Sequence, residues 1–164
     1  MSLKFSAGEV FQMAQDIERN GARFYRKAAE GFRDSPSHAM LLELAAMEDD
    51  HLATFTDMKN HLAAREQESP VFDPFGESEL YLRAMASTHV FDTSRDPSES
   101  LTGEETLQEI LKMAIKLEKD SIIFYLGLKS AIVPNMGKER LDDVIAQEFS
   151  HISMLSDRLT ELRR

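Results

Sequence analysis

The sequence predicts an all-α chain: a four-helix bundle built from two copies of one helical hairpin joined by a long crossover. Three observations carry this reading. Glu48-Asp49-Asp50-His51 recurs as Glu148-Phe149-Ser150-His151, and Ile17-Glu18 … Phe24-Tyr25 recurs as Leu117-Glu118 … Phe124-Tyr125, both at an offset of 100 residues. Apolar residues return at helical spacing in four segments. The composition suits helix, being rich in Ala, Leu, Glu, Met and Lys, with only seven glycines and five prolines in 164 residues.

The first helix is expected to start at Ser6, where Ser6-Ala-Gly-Glu9 reads as a capping box. Its stripe runs through Phe11, Ala14, Ile17, Gly21, Phe24 and Ala28, and Glu18 stands inside it. A carboxylate in a core stripe needs a partner or a metal, because an unpaired buried charge is costly. Ala14 and Gly21 are small enough to leave room for an ion.

Arg33-Asp34-Ser35-Pro36-Ser37 breaks the pattern, with Pro36 suited to the first position of a second helix running to about Glu66. Its stripe is Leu41, Leu44, Ala45, Glu48, His51, Leu52 and Phe55, while Asp49 and Asp50 face solvent. Residues 67–103 carry Pro70, Pro74 and Pro97 and read as the crossover, with one short helix from Glu77 to about His89. Such a connection lets the middle two helices run parallel. Neither half could bury its stripe alone, so residues 1–164 are expected to form a single domain.

Thr102-Gly-Glu-Glu105 is a second capping-box pattern and is expected to open helix three, which runs to about Ala131. Leu107, Leu111, Ala114, Leu117, Glu118, Ser121 and Tyr125 repeat the stripe of helix one. Pro134-Asn135 marks the next break. The fourth helix carries Leu141, Val144, Ile145, Glu148, His151, Ile152 and Leu155, then runs into the charged C-terminus. The two hairpins span about 6–66 and 104–163.

An i, i+3 Glu-x-x-His pair projects from one helix face, so each pair can aim a carboxylate and an imidazole at one point. Glu18, Glu48, His51, Glu118, Glu148 and His151 together form a ligand set for two metal ions. A duplicated salt-bridge core is the competing explanation, but it needs basic partners. Arg19, Arg23 and Lys119 lie about 100° or more from the Glu18/Glu118 face. Tyr25 and Tyr125, two turns further on that face, are candidates to hydrogen-bond metal-bound carboxylates. Met13, Met113 and Met47 read as core filling. His38, His61 and His89 have no counterpart at the offset.

Charge and cysteine content narrow the field. A net charge of −10 without a Lys/Arg-rich run argues against nucleic acid or an anionic membrane as partner. No cysteine is present, which excludes disulfides, zinc–thiolate sites and iron–sulfur centres in this chain. The start lacks a signal-peptide core and no 18-residue apolar run occurs, so a cytoplasmic location is expected.

A glutamate on helix one, Glu-x-x-His on helix two, a glutamate on helix three and Glu-x-x-His on helix four resemble the ferritin-like di-iron carboxylate superfamily. The Glu18-x6-Tyr25 spacing is most similar to rubrerythrins. The resemblance implies two iron ions per chain, with Glu18 and Glu118 as terminal ligands, Glu48 and Glu148 bridging, and one imidazole, His51 or His151, for each ion. It implies reduction of hydrogen peroxide or dioxygen with oxidation of Fe(II), and a homodimer. Two departures stand out. Rubrerythrins carry a further glutamate one turn after the helix-three ligand, where this chain has Ser121, so their ligand switching lacks its glutamate and the site reads as more symmetric. These 164 residues hold no cysteine for a rubredoxin-like iron centre, so an external electron donor is expected. Four carboxylates neutralise two Fe²⁺, and oxygen and imidazole donors also suit Mn or Zn. A non-catalytic metal-binding or iron-storage protein remains a second expectation, and a metal-free structural bundle a third.

Overall fold

The first helix begins where its capping box stands. Ser6 is extended (φ −79°, ψ 160°), its Oγ accepts from Glu9 N at 3.2 Å, and Glu9 Oε2 accepts from Ser6 N at 2.7 Å. Such a cap is worth about 1 kcal/mol. The computed structural model describes residues 6–62, 77, 80–81, 95–131 and 137–164. Within these, four long helices follow in order: α1 (Ala7–Glu30), α2 (Ser37–Asn60), α3 (Leu107–Ala131) and α4 (Lys138–Glu161).

Three boundaries differ from the expectation. Pro36 is the residue before α2 rather than its first, with helical φ −54° and ψ −24°. Helix α2 ends at Asn60, short of Glu66: His61 N makes the last i→i−4 bond, to Asp57 O at 3.0 Å, and the His61 ring nitrogen Nδ1 lies 2.7 Å from the same carbonyl. Leu62 N then donates to Lys59 O at 3.2 Å and tightens the turn. Helix α3 is opened by Thr106 and Glu109, not by Thr102 and Glu105. Thr106 Oγ1 accepts from Glu109 N at 3.3 Å, and Glu109 Oε2 accepts from Thr106 N at 2.8 Å. Thr102 Oγ1 instead takes the amide of Glu104, and Glu105 closes a separate turn on Thr102 N and Gly103 N.

Glu77, Leu80 and Tyr81 are helical; the rest of the short helix expected to His89, most of the crossover, and the break at Pro134-Asn135 lie outside the described residues. Tyr81 donates its hydroxyl to Ile123 O on α3. Nearer α3, Pro97–Ser100 form a 3₁₀ turn capped by Asp96, whose side chain accepts from Ser98 N at 2.8 Å. Arg23 (3.4 Å to Asp96) and Lys27 (2.7 Å to Ser98 O) fasten this turn to α1.

The apolar stripes meet in two clusters. One joins Phe11 and Ala14 of α1 to Phe55 of α2, Tyr125 and Leu128 of α3, and Leu141 and Val144 of α4. The other joins Phe24 and Ala28 to Leu41 and Leu44, Leu111 and Ala114, and Leu155. The early part of α1 thus lies beside the late part of α3, and the late part of α2 beside the early part of α4. These pairs are antiparallel, and the middle helices run parallel, as a crossover bundle requires. Each fully buried Leu or Phe stabilises the fold by about 1.5–3 kcal/mol. In every helix Glu18, Glu48/His51, Glu118 or Glu148/His151 falls between the two clusters, so the bundle carries one polar layer across its waist.

Candidate metal centre

The structure brings all six side chains together in that layer, none more than 4% exposed. His51 Nδ1 lies 3.3 Å from Glu148 Oε1, 3.5 Å from Glu18 Oε2 and 4.0 Å from Glu48 Oε2. His151 Nδ1 lies 3.0 Å from Glu148 Oε2, 3.3 Å from Glu48 Oε1 and 3.5 Å from Glu118 Oε1. The two imidazoles stack with centroids 5.5 Å apart and planes 20° from parallel. Ligand atoms fall into two groups, each within 4.8 Å: Glu18, Glu48, His51 and Glu148, and Glu48, Glu118, Glu148 and His151. Glu48 and Glu148 belong to both.

The tyrosines cross between the hairpins. Tyr25 donates to Glu118 Oε1 and Tyr125 to Glu18 Oε1. Both rings are buried, and burial together with the accepting carboxylate pushes each phenol well above its ordinary range. The arginines serve elsewhere: Arg19 pairs with Asp16 at 2.6 Å, Arg23 with Asp96, and Arg26 with Asp49.

Burial and mutual repulsion set the protonation of the layer. Burial, followed by repulsion from Glu18 and Glu118, holds Glu48 well above the usual carboxylate range. Burial and the Glu48 charge push Glu148 up to about 8, and burial raises Glu18. For Glu118 burial also pushes upward, but His151 and Glu148 outweigh it and the net shift is downward. Burial lowers both imidazoles, yet the carboxylates win: Glu148 and Glu18 lift His51 to about 11, and Glu118, Glu148 and Glu48 lift His151 to about 12.

This donor set fits a metal. Among the described residues, Glu18 Oε2, Glu48 Oε1, both Glu148 oxygens, His51 Nδ1 and both His151 ring nitrogens are buried and make no aligned hydrogen bond, although several crowd within 3.0–3.5 Å of one another. Leaving a buried polar atom unsatisfied costs about 1–3 kcal/mol, and native structures keep such atoms few. Their concentration in one layer is explained by cations, to which carboxylate oxygens and imidazole nitrogens are natural donors.

Two residues escaped the sequence reading. Gln147 on α4 faces His51, with Oε1 2.9 Å from Nε2; it stands outside the apolar stripe, and its partner is 96 residues away. Gln15 is buried and donates to Thr56 Oγ1 at 2.7 Å. Gly21 makes room for a ligand side chain: a Cβ there would lie 3.3 Å from Glu48 Oε2. Ala14 belongs to the apolar cluster instead. Ser121 is buried, and its hydroxyl donates to Leu117 O of its own helix at 3.1 Å.

Four helices that pool glutamates and Glu-x-x-His pairs in a buried layer define a ferritin-like protein of the di-iron carboxylate class. A solved structure described as a ferritin-like diiron-carboxylate protein from Thermotoga maritima matches with a TM-score of 0.71 and 27% identity, over 96% of this chain and 97% of that one. The rubrerythrin family matches residues 9–159, and the chain belongs to that family. No curated protein matches it. Among the described residues no helix is long and apolar enough to cross a membrane.

Proposed function

We propose that the chain is a dinuclear iron redox protein that reduces hydrogen peroxide or dioxygen, in defence against oxidative stress or in iron handling. The observation that carries this reading is the sharing of Glu48 and Glu148 by both ligand groups. Shared carboxylates hold two cations side by side, whereas two separate sites would need no common ligand. Glu18 and His51 would complete one position, Glu118 and His151 the other. Iron is favoured by the family, while the same donors would accept Mn or Zn.

When bound, a pair of Fe(II) ions supplies the two electrons that, with two protons, convert hydrogen peroxide to two waters. The chain's own residues set the conditions. The apolar clusters above and below exclude water from the layer. Tyr25 and Tyr125 hold the terminal carboxylates by one oxygen each, leaving the second oxygen of Glu18 directed toward His51. An external electron donor restores the reduced state, and a homodimer is the assembly expected from the family.

The test begins with metal content after expression in iron-supplemented cells, followed by anaerobic Fe(II) loading and stopped-flow mixing with hydrogen peroxide and with O₂. About two irons per chain and rapid oxidation by peroxide support the proposal. Rapid oxidation by O₂ alone points to a ferroxidase. Bound iron that reacts with neither favours non-catalytic binding, and no bound metal overturns the reading.

A further inference from the structure

The hairpins are copies, yet the layer they build differs at one imidazole. His51 Nε2 is met by Gln147 Oε1 at 2.9 Å. His151 Nε2 is buried with no hydrogen-bond partner among the described residues. The position equivalent to Gln147 in the first hairpin is Met47, whose thioether has no donor and is only a weak acceptor. On both rings Nδ1 is the nitrogen turned toward the carboxylates.

We propose that Gln147 is a positioning residue that orients His51 and makes the His51 position the tighter of the two metal positions. The inference rests on the dinuclear reading above. An amide oxygen only accepts, so the facing ring nitrogen carries its proton and Nδ1 is left as the ligating atom. A second partner on a ligating imidazole fixes the ring plane and raises its basicity. Binding at His51 therefore meets a ring already aimed. Binding at His151 must also fix a ring whose outer nitrogen nothing holds. Against rubrerythrins, Ser121 makes the site read as more symmetric; residues 47 and 147 break that symmetry.

The experiment titrates the metal-free full chain with Co(II) alone, followed by calorimetry and visible absorption. Wild type is expected to fill in two resolved steps. Gln147→Met should weaken the tighter step about 10- to 100-fold. Gln147→Glu keeps an acceptor and should retain it, and Met47→Gln should strengthen the weaker step by offering His151 an amide oxygen. Melting of each metal-free variant checks that the bundle is intact; Gln147 is exposed, so little change is expected there. A Gln147→Met isotherm that superimposes on wild type overturns the assignment and leaves the dinuclear reading standing. No Co(II) bound by wild type overturns both.

Discussion

Tyr25 on the first hairpin donates its hydroxyl to Glu118 on the second. The bond reaches across the bundle because α1 and α3 run antiparallel, which sets the tyrosine of one beside the glutamate of the other. Removing it by Tyr25→Phe leaves the ring in place and strips Glu118 Oε1 of that donor. A buried hydrogen bond to a charged acceptor is worth about 1.5–3 kcal/mol, and urea unfolding of the metal-free variant should show a loss of that size. No measurable loss would mean that the hydroxyl contributes nothing to joining the hairpins.

Glu148 and Glu18 should differ in what their removal does. Glu148 belongs to both ligand groups and Glu18 to one. Glu148→Ala is expected to abolish binding of both ions, whereas Glu18→Ala should retain about one per chain. Elemental analysis of protein reconstituted with Fe(II) under argon distinguishes them. Equal, undiminished iron in both variants would refute the ligand assignment.

Gly21 offers a separation of stability from metal binding. Ala in place of a mid-helix Gly gains about 1 kcal/mol in helix propensity. The new methyl would stand 3.3 Å from Glu48 Oε2 and 3.4 Å from its Cδ. A metal-free Glu48 can shift by a few tenths of an ångström, but a ligating one is pinned. Gly21→Ala should therefore raise the unfolding free energy of the metal-free chain by about 0.5–1 kcal/mol while weakening metal binding. Tighter binding in a calorimetric titration would contradict this.

Acid stability should carry the mark of Glu105. Hydrogen bonds from Thr102 N and Oγ1 come first among the causes that hold its carboxyl down at about 2, against an ordinary 4.5. A depressed folded-state value stabilises the fold above the ordinary value, and the contribution is lost as pH falls from there through about 2. Wild type should therefore melt above Glu105→Gln at pH 6, with the gap closing toward pH 2. A gap that is constant with pH would assign the effect to packing instead.

The four helices and the six clustered side chains were legible because both rest on periodicity: a 3.6-residue stripe and a 100-residue offset are visible along the chain. The rest depended on choices the chain leaves degenerate or on partners far away in sequence. Thr102-x-x-Glu105 and Thr106-x-x-Glu109 are one turn apart and equally suited to capping; only the second supplies the reciprocal pair of bonds. Same-face spacing placed Tyr25 near Glu18, but the antiparallel packing of α1 against α3 hands its hydroxyl to Glu118. Gln147 sits on the exposed side of its helix stripe, so periodicity marks it as solvated, and only the packed bundle sets it against His51.

Each ligand group takes three residues from one hairpin and a single glutamate from the other, Glu148 for the first and Glu48 for the second. The centre is a clasp whose halves are written in separate stretches of the chain. A lone hairpin, however well formed, holds an incomplete set and gives an ion only a loose grip. Capture of metal would thus report that both halves have been made and have docked, making the ion an inspector of assembly.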